Sequence, residues 1–135
     1  MMYKPALTAA AIFALIGVIV GAMGAHALRP YLSAEMQNSY ETAVKYQFYH
    51  SFALALAGIL HQAFPHAWIR RAAWSFVTGI LLFSGSIYLL VYLKTTASVG
   101  LSGLGILTPV GGVFFILGWL CLLAGIRGNK APSAG

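Results

Sequence analysis

Acidic residues are nearly absent: Glu35 and Glu41 are the only two in 135 residues, and there is no aspartate. Paired carboxylates for acid–base work are therefore missing from the long apolar stretches. No nucleophile elbow, Walker loop or zinc-protease motif replaces them, so the expectation is a non-enzyme. A single cysteine, Cys121, excludes an internal disulfide. Charge of either sign is scarce, at 7% of residues, against 60% hydrophobic. A water-soluble domain of that composition would expose contiguous apolar surface. The eight basic residues are scattered rather than clustered, which excludes a stripe that could track nucleic-acid phosphates.

The charges that exist lie between four uncharged stretches, 5–28, 46–69, 72–93 and 95–126. Each exceeds the roughly 20 apolar residues a helix needs to cross a bilayer. The chain is thus expected to be one all-α membrane domain, 1–135, folded as a four-helix antiparallel bundle. The helices are placed at about 7–28, 45–64, 72–93 and 106–126. Residues 31–44 carry Leu32, Met36, Tyr40 and Ala43 at spacings of three and four. That period predicts a short amphipathic helix lying on the membrane surface, with Ser33 as its N-cap. Glu41 and Lys45 are placed for an exposed helical ion pair. Thr108-Pro109 reads as a cap followed by proline at the first helical position, or else as a proline kink within a longer helix. Residues 94–105 read as an outer loop and 127–135 as a polar tail. The apolar run 6–25 exceeds a secretory signal core, so the first helix is expected to be retained.

Lys4, Arg70, Arg71, Arg127 and Lys130 fall on one side of such a bundle, against Arg29, Lys45 and Lys94 on the other. The excess of Lys and Arg places both termini in the cytoplasm.

Polar residues inside spans are costly and are candidates for function. They fall in the outer half: His26 on helix one, Tyr46, Gln47 and His50 on helix two, Ser84, Ser86 and Tyr88 on helix three, Thr108 at the start of helix four. This set is the candidate pocket for a lipid-like or small ligand, or for a partner helix. The alternative is that they bond to one another and fix helix register. No metal is assigned, because no ligand spacing is present; His26 and His50 are the one pair that could serve a metal or haem iron. The residues name no cofactor. Membrane lipids are the expected partners and nucleic acid is not. A small transporter or channel, working as an oligomer, is the competing reading; the apolar inner half opposes a full conduit.

Small residues mark where helices meet in lipid. Gly17, Gly21 and Gly24 share one face of helix one, and Gly111, Gly118 and Gly125 recur every seven residues on helix four. His26 lies roughly 140–180° from the helix-one glycines at about 100° per residue. With His26 inward, that glycine face would point outward and suit a second copy or a partner membrane protein.

Four segments carry a resemblance: Gly21-Ala22-Met23-Gly24-Ala25-His26, Ala43-x-x-Tyr46-Gln47-x-x-His50, Phe83-Ser84-Gly85-Ser86-Ile87-Tyr88, and Thr108-Pro109-Val110-Gly111-Gly112 continuing to Gly118-Trp119. In that order they resemble the small bacterial inner-membrane proteins of the YgdD/YwdK type, the domain-of-unknown-function 423 family. The resemblance covers nearly the whole chain, with Met23 and Val110 as mild variants. It implies a multi-pass protein of the bacterial inner membrane and supplies no mechanism.

Overall fold

Prolines and short polar side chains set the element ends. Pro5 sits in the first turn of α1 (Lys4–Ala22), where its missing N–H costs nothing. Ser33 Oγ accepts from the Met36 amide at 3.2 Å and opens α2 (Ala34–Ala63). Pro65 interrupts the chain before α3 (Ala67–Thr95), whose N-cap His66 accepts from the Trp68 amide. A 3-10 turn at Leu104–Ile106 leads into α4 (Leu107–Arg127). This computed structural model describes residues 1–96 and 103–128, and among them all regular structure is helical, with no strand. The expected loop residues 97–102 and the tail from 129 onward lie outside the described residues.

Three expectations are corrected. Residues 34–44 are not a separate surface helix; they form the first turns of a 30-residue α2. No proline interrupts residues 34–63, and the exposed Glu41–Lys45 pair, 3.9 Å apart, bridges the predicted junction. Helix one does not run uniformly to 28: it passes into a π-helical turn at Met23–Ala27, closed by the Leu28 amide donating to the Met23 carbonyl. Helix four begins at Leu107, so Pro109 is its third residue and Thr108 is no cap. The proline is still accommodated, because first-turn N–H groups have no partner within the helix.

Among the described residues three helices are long and apolar enough to cross a membrane, Lys4–Ala25, Ala67–Thr95 and Leu104–Arg127. In space α2 packs between α1 and α3, and α3 between α2 and α4. Glycine decides both outer seams. On α4, Gly111, Gly118 and Gly125 receive Phe83, Phe76 and Ile69 of α3, while Gly79 of α3 receives Phe115 of α4. Phe76 and Ile69 side chains thus enter holes seven residues apart, while at Gly111 the α3 backbone itself closes in at Phe83. On α1, Gly17, Gly21 and Gly24 meet Phe48, Val44 and Tyr40 of α2, and Gly58 of α2 returns the fit by receiving Leu7. The helix-one glycine face is therefore covered within the chain and not free for a second subunit.

Burial is inverted relative to a protein in water. Gln47, His50, Ser51, Ser84 and Ser86 are buried, whereas Ile12, Leu15, Val18 and Ile19 of α1 and Val113, Ile116, Leu120 and Leu123 of α4 are exposed. That arrangement suits hydrocarbon as the surrounding solvent.

A Cβ at Gly111 would collide with the Phe83 backbone nitrogen, an atom that cannot step aside, whereas one at Gly85 meets nothing within 4 Å. Gly111→Ala is expected to destabilise by about 2–3 kcal/mol. Gly85→Ala should instead stabilise by about 0.5–1 kcal/mol through helix propensity. Reversible unfolding in mixed micelles measures both; equal midpoints would contradict the α3–α4 seam.

Candidate functional site

Of the candidate polar residues Gln47, His50, Ser84 and Ser86 are buried, Tyr88 and Thr108 half-buried, and Tyr46 and His26 exposed; all but His26 fall into three groups rather than one pocket. The first ties α1, α2 and α3. Gln47 Nε2 donates to the Phe13 carbonyl at 2.7 Å and its Oε1 accepts from the Tyr88 hydroxyl at 2.8 Å. Ser84 Oγ donates to the Ala43 carbonyl at 2.7 Å, and Tyr40 donates to the Val20 carbonyl at 2.7 Å, beside the π turn. The Tyr40 and Tyr88 rings meet at a tilt of 55°, with centres 5.2 Å apart.

A second group joins α3 to α4: the Ser86 and Thr108 hydroxyls lie 2.7 Å apart, and Ser86 also reaches the Phe83 carbonyl. Thr108 thus works across helices instead of capping its own.

The third group lies between α2 and α4 around His50. Its Nδ1 is 2.8 Å from the Tyr46 carbonyl, which can only accept, so Nδ1 carries the proton in the neutral ring. Nε2 is then an acceptor, and it faces the Trp119 indole N–H at 3.4 Å. The imidazole lies flat on Phe115, with centroids 3.5 Å apart and planes 7° from parallel. Tyr46 stacks on Phe83 at 4.7 Å. A lateral groove of about 640 Å³ opens over this floor, walled by Tyr49, Pro109, Gly112 and Trp119.

His26 is exposed on the π turn, pointing away from the glycine face as the helical angle requires. Gly24 meets Tyr40, whereas His50 lies ten residues further along α2, about 15 Å at 1.5 Å per residue. His26 and His50 do not form a pair, which removes the one metal arrangement the sequence offered. Among the described residues no group of three His, Cys, Asp or Glu side chains gathers to hold a metal. Tyr40, Ser51, Phe115 and Trp119 belong to these clusters and are not among the sequence candidates. Tyr40 could have been found, since it precedes Gln47 by seven residues and shares its face. Trp119 could not, because nothing local links it to His50 sixty-nine residues earlier.

Residues 20–112 match the family described as a protein of unknown function, DUF423. The chain belongs to that family. It is 37% identical over 113 residues to a UPF0382 membrane protein of Staphylococcus aureus, spanning 84% of this chain and 87% of the relative. To the UPF0382 membrane protein YwdK of Bacillus subtilis it is 35% identical over 114 residues, 84% of this chain and 88% of that one. To the UPF0382 inner membrane protein YgdD of Escherichia coli it is 35% identical over 118 residues, 86% and 84% respectively. No solved structure matches it. The DUF423 resemblance segments are those that carry the π turn, the Gln47 and His50 groups, and the glycine holes of α4.

Gln47→Leu would strip partners from the buried Tyr88 hydroxyl and the Phe13 carbonyl. A double-mutant cycle with Tyr88→Phe should return a coupling of about 0.5–1.5 kcal/mol, the range for interhelical hydrogen bonds in membranes. Strict additivity in detergent unfolding would mean the two side chains act separately.

Proposed function

We propose that this DUF423 protein is a four-span accessory protein of the bacterial inner membrane. Its α2–α4 groove holds a lipid-like small molecule, without catalysing its conversion. The fourth span is α2, the least apolar of the long helices. Its support is an exposed stripe, Tyr49, Phe52, Leu56 and Ile59, at spacings of three and four. The polar residues Gln47, His50 and Ser51 turn to the buried side of the same helix. A helix whose polar groups are satisfied internally and whose outer face is apolar crosses lipid despite its modest average. Consecutive helices then alternate in direction as an antiparallel bundle, and the Lys and Arg bias puts both termini in the cytoplasm. The first turns of α2, with Glu35, Asn38 and Glu41 exposed, project into the outer interface.

The observation that carries the binding reading is the aromatic groove with His50 in its floor. Its volume is in the range of small-molecule sites, and such sites combine apolar walls with few polar groups. Aromatic walls suit a flat ring or an unsaturated chain. Nε2 of His50 is the acceptor available for a hydroxyl or amide donor on that molecule, in exchange for the long Trp119 contact.

Reporters at the two ends should both read cytoplasmic; opposite readings would mean three spans and overturn the topology. Native purification in mild detergent, with mass spectrometry of retained small molecules, should find one dominant apolar species. His50→Phe keeps the stack on Phe115 and removes the ring nitrogens, so it should lower that species several-fold while the fold persists. Equal retention by wild type and variant would exclude His50 as the contact.

A further inference from the structure

A different recess, on the opposite seam, carries charge of both signs at headgroup depth. It lies between the π turn of helix one and the outer part of α2, with a volume of about 450 Å³. Gly21, Gly24, Ala25 and Val44 contribute apolar lining, and Arg29, Lys45, Gln37 and Glu41 contribute polar groups. The apolar stretch Lys4–Ala25 ends at its wall. Arg29 follows four residues later, roughly 6 Å further at helical rise. The headgroup layer occupies about 5–7 Å on each side of the hydrocarbon, so the charged groups sit within it. π-helical turns concentrate at functional sites, and this one forms the wall that carries Gly24 and Ala25.

The internal partners of these charges are weak. Lys45 Nζ and Glu41 Oε2 are 3.9 Å apart, with side chains 60% and 52% exposed. An exposed pair of that length contributes little. Arg29 makes no ion pair among the described residues. Gln37 Nε2 donates to Glu41 Oε1 at 3.0 Å, which leaves Gln37 Oε1 as an acceptor screened from water and without a partner. That orphan lies in the side chain shared by this recess and a neighbouring one of about 400 Å³, which Arg29 and Glu41 also line. Two cations and two acceptors therefore face one cavity at the level of lipid headgroups.

We propose that this recess is a binding site for a zwitterionic aminophospholipid, of phosphatidylethanolamine chemistry. The lipid phosphate takes Arg29 and Lys45, charge-assisted donors suited to phosphate oxygens. The ammonium takes the Glu41 carboxylate and the Gln37 amide oxygen, three N–H donors against acceptors now unmet or loosely met. The first part of an acyl chain lies along Gly21 and Val44. Binding exchanges the long Glu41–Lys45 pair for two intermolecular ones. An anionic headgroup of phosphatidylglycerol chemistry brings hydroxyl donors but no ammonium to offset the Glu41 charge. A choline headgroup brings positive charge without N–H donors.

This site depends on the membrane reading but not on the α2–α4 groove. The test offers the full-length protein in mild detergent equal amounts of phosphatidylethanolamine, phosphatidylcholine and phosphatidylglycerol with identical acyl chains, read by native mass spectrometry. Phosphatidylethanolamine should be retained about fivefold over the other two, as expected for hydrogen bonds to charged groups partly screened at an interface. Glu41→Gln and Gln37→Leu should each reduce it to the phosphatidylcholine level. Gln37→Glu, which keeps the acceptor, should preserve the preference, and Arg29→Ala should lower retention of all three lipids. His50→Phe should leave the preference intact, which separates this site from the groove. Equal retention of the three lipids, phosphatidylglycerol in first place, or a preference surviving both Glu41→Gln and Gln37→Leu would overturn the proposal. Soluble phosphoethanolamine binding as tightly as the lipid would overturn the assignment to a membrane ligand.

Discussion

The missing Cβ atom is the constraint on which the packing rests. In hydrocarbon, helices gain nothing by hiding apolar side chains from their surroundings, so association depends on close fit. Phe76 is a wide knob that reaches the α4 backbone because Gly118 leaves space there, and Gly111 lets the α3 backbone at Phe83 come up against α4. Phe115 repeats the fit in the opposite direction at Gly79. The same exchange links α1 to α2, where three glycines receive Phe48, Val44 and Tyr40. Shifting either seam by one residue would bring Cβ atoms against aromatic rings at several levels together. Register is therefore set over the length of each pair.

Hydrogen bonds refine that register where the bundle is polar. Gln47 spans from the Phe13 carbonyl of α1 to the Tyr88 hydroxyl of α3, so a single side chain locates three helices. Ser84 and Tyr40 add anchors to backbone carbonyls. Inside lipid an unpaired polar group has no water to turn to, and among the described residues only Gln37 Oε1 is buried without a partner. That exception sits near the N-terminus of α2, among exposed side chains. The inner half is packed differently, with Leu54, Ala57, Ile69 and Phe76 fully buried against one another. A conduit through the bundle would have to displace those side chains, whereas a lateral site displaces none.

Much of this was legible from residue order. Uncharged runs separated by basic residues announced four long helices, although α2 starts well before its predicted residue 45, and the seven-residue glycine repeat announced the α4 seam. Ser33 capped its helix as its chemistry suggests. What failed did so for identifiable reasons. The stripe at 32, 36, 40 and 43 has the right period for a surface helix. Period alone does not say where a helix ends, and nothing between 34 and 63 breaks it. The angle between His26 and the helix-one glycines was correct. Which of the two faces turned inward depended on the bulk of Tyr40, Val44 and Phe48, residues on another helix. Likewise, Trp119 meets His50 only because the α3–α4 seam holds α4 at that height.

The two faces of α2 have diverged in what they offer a ligand. Toward α4 lies an apolar, aromatic groove within the span, with one neutral nitrogen acceptor facing an indole. Toward the π turn lies a recess lined by charges of both signs. A soluble metabolite would be poorly served by the first, and a purely apolar molecule by the second. Lipids carry both kinds of surface in one molecule, which makes the bilayer itself the source of ligands that fits this protein best. On that view α2 is long because it has two tasks at different depths. Its inner turns are buried between neighbours, and its outer turns hold Gln37, Glu41 and Lys45 where headgroups lie.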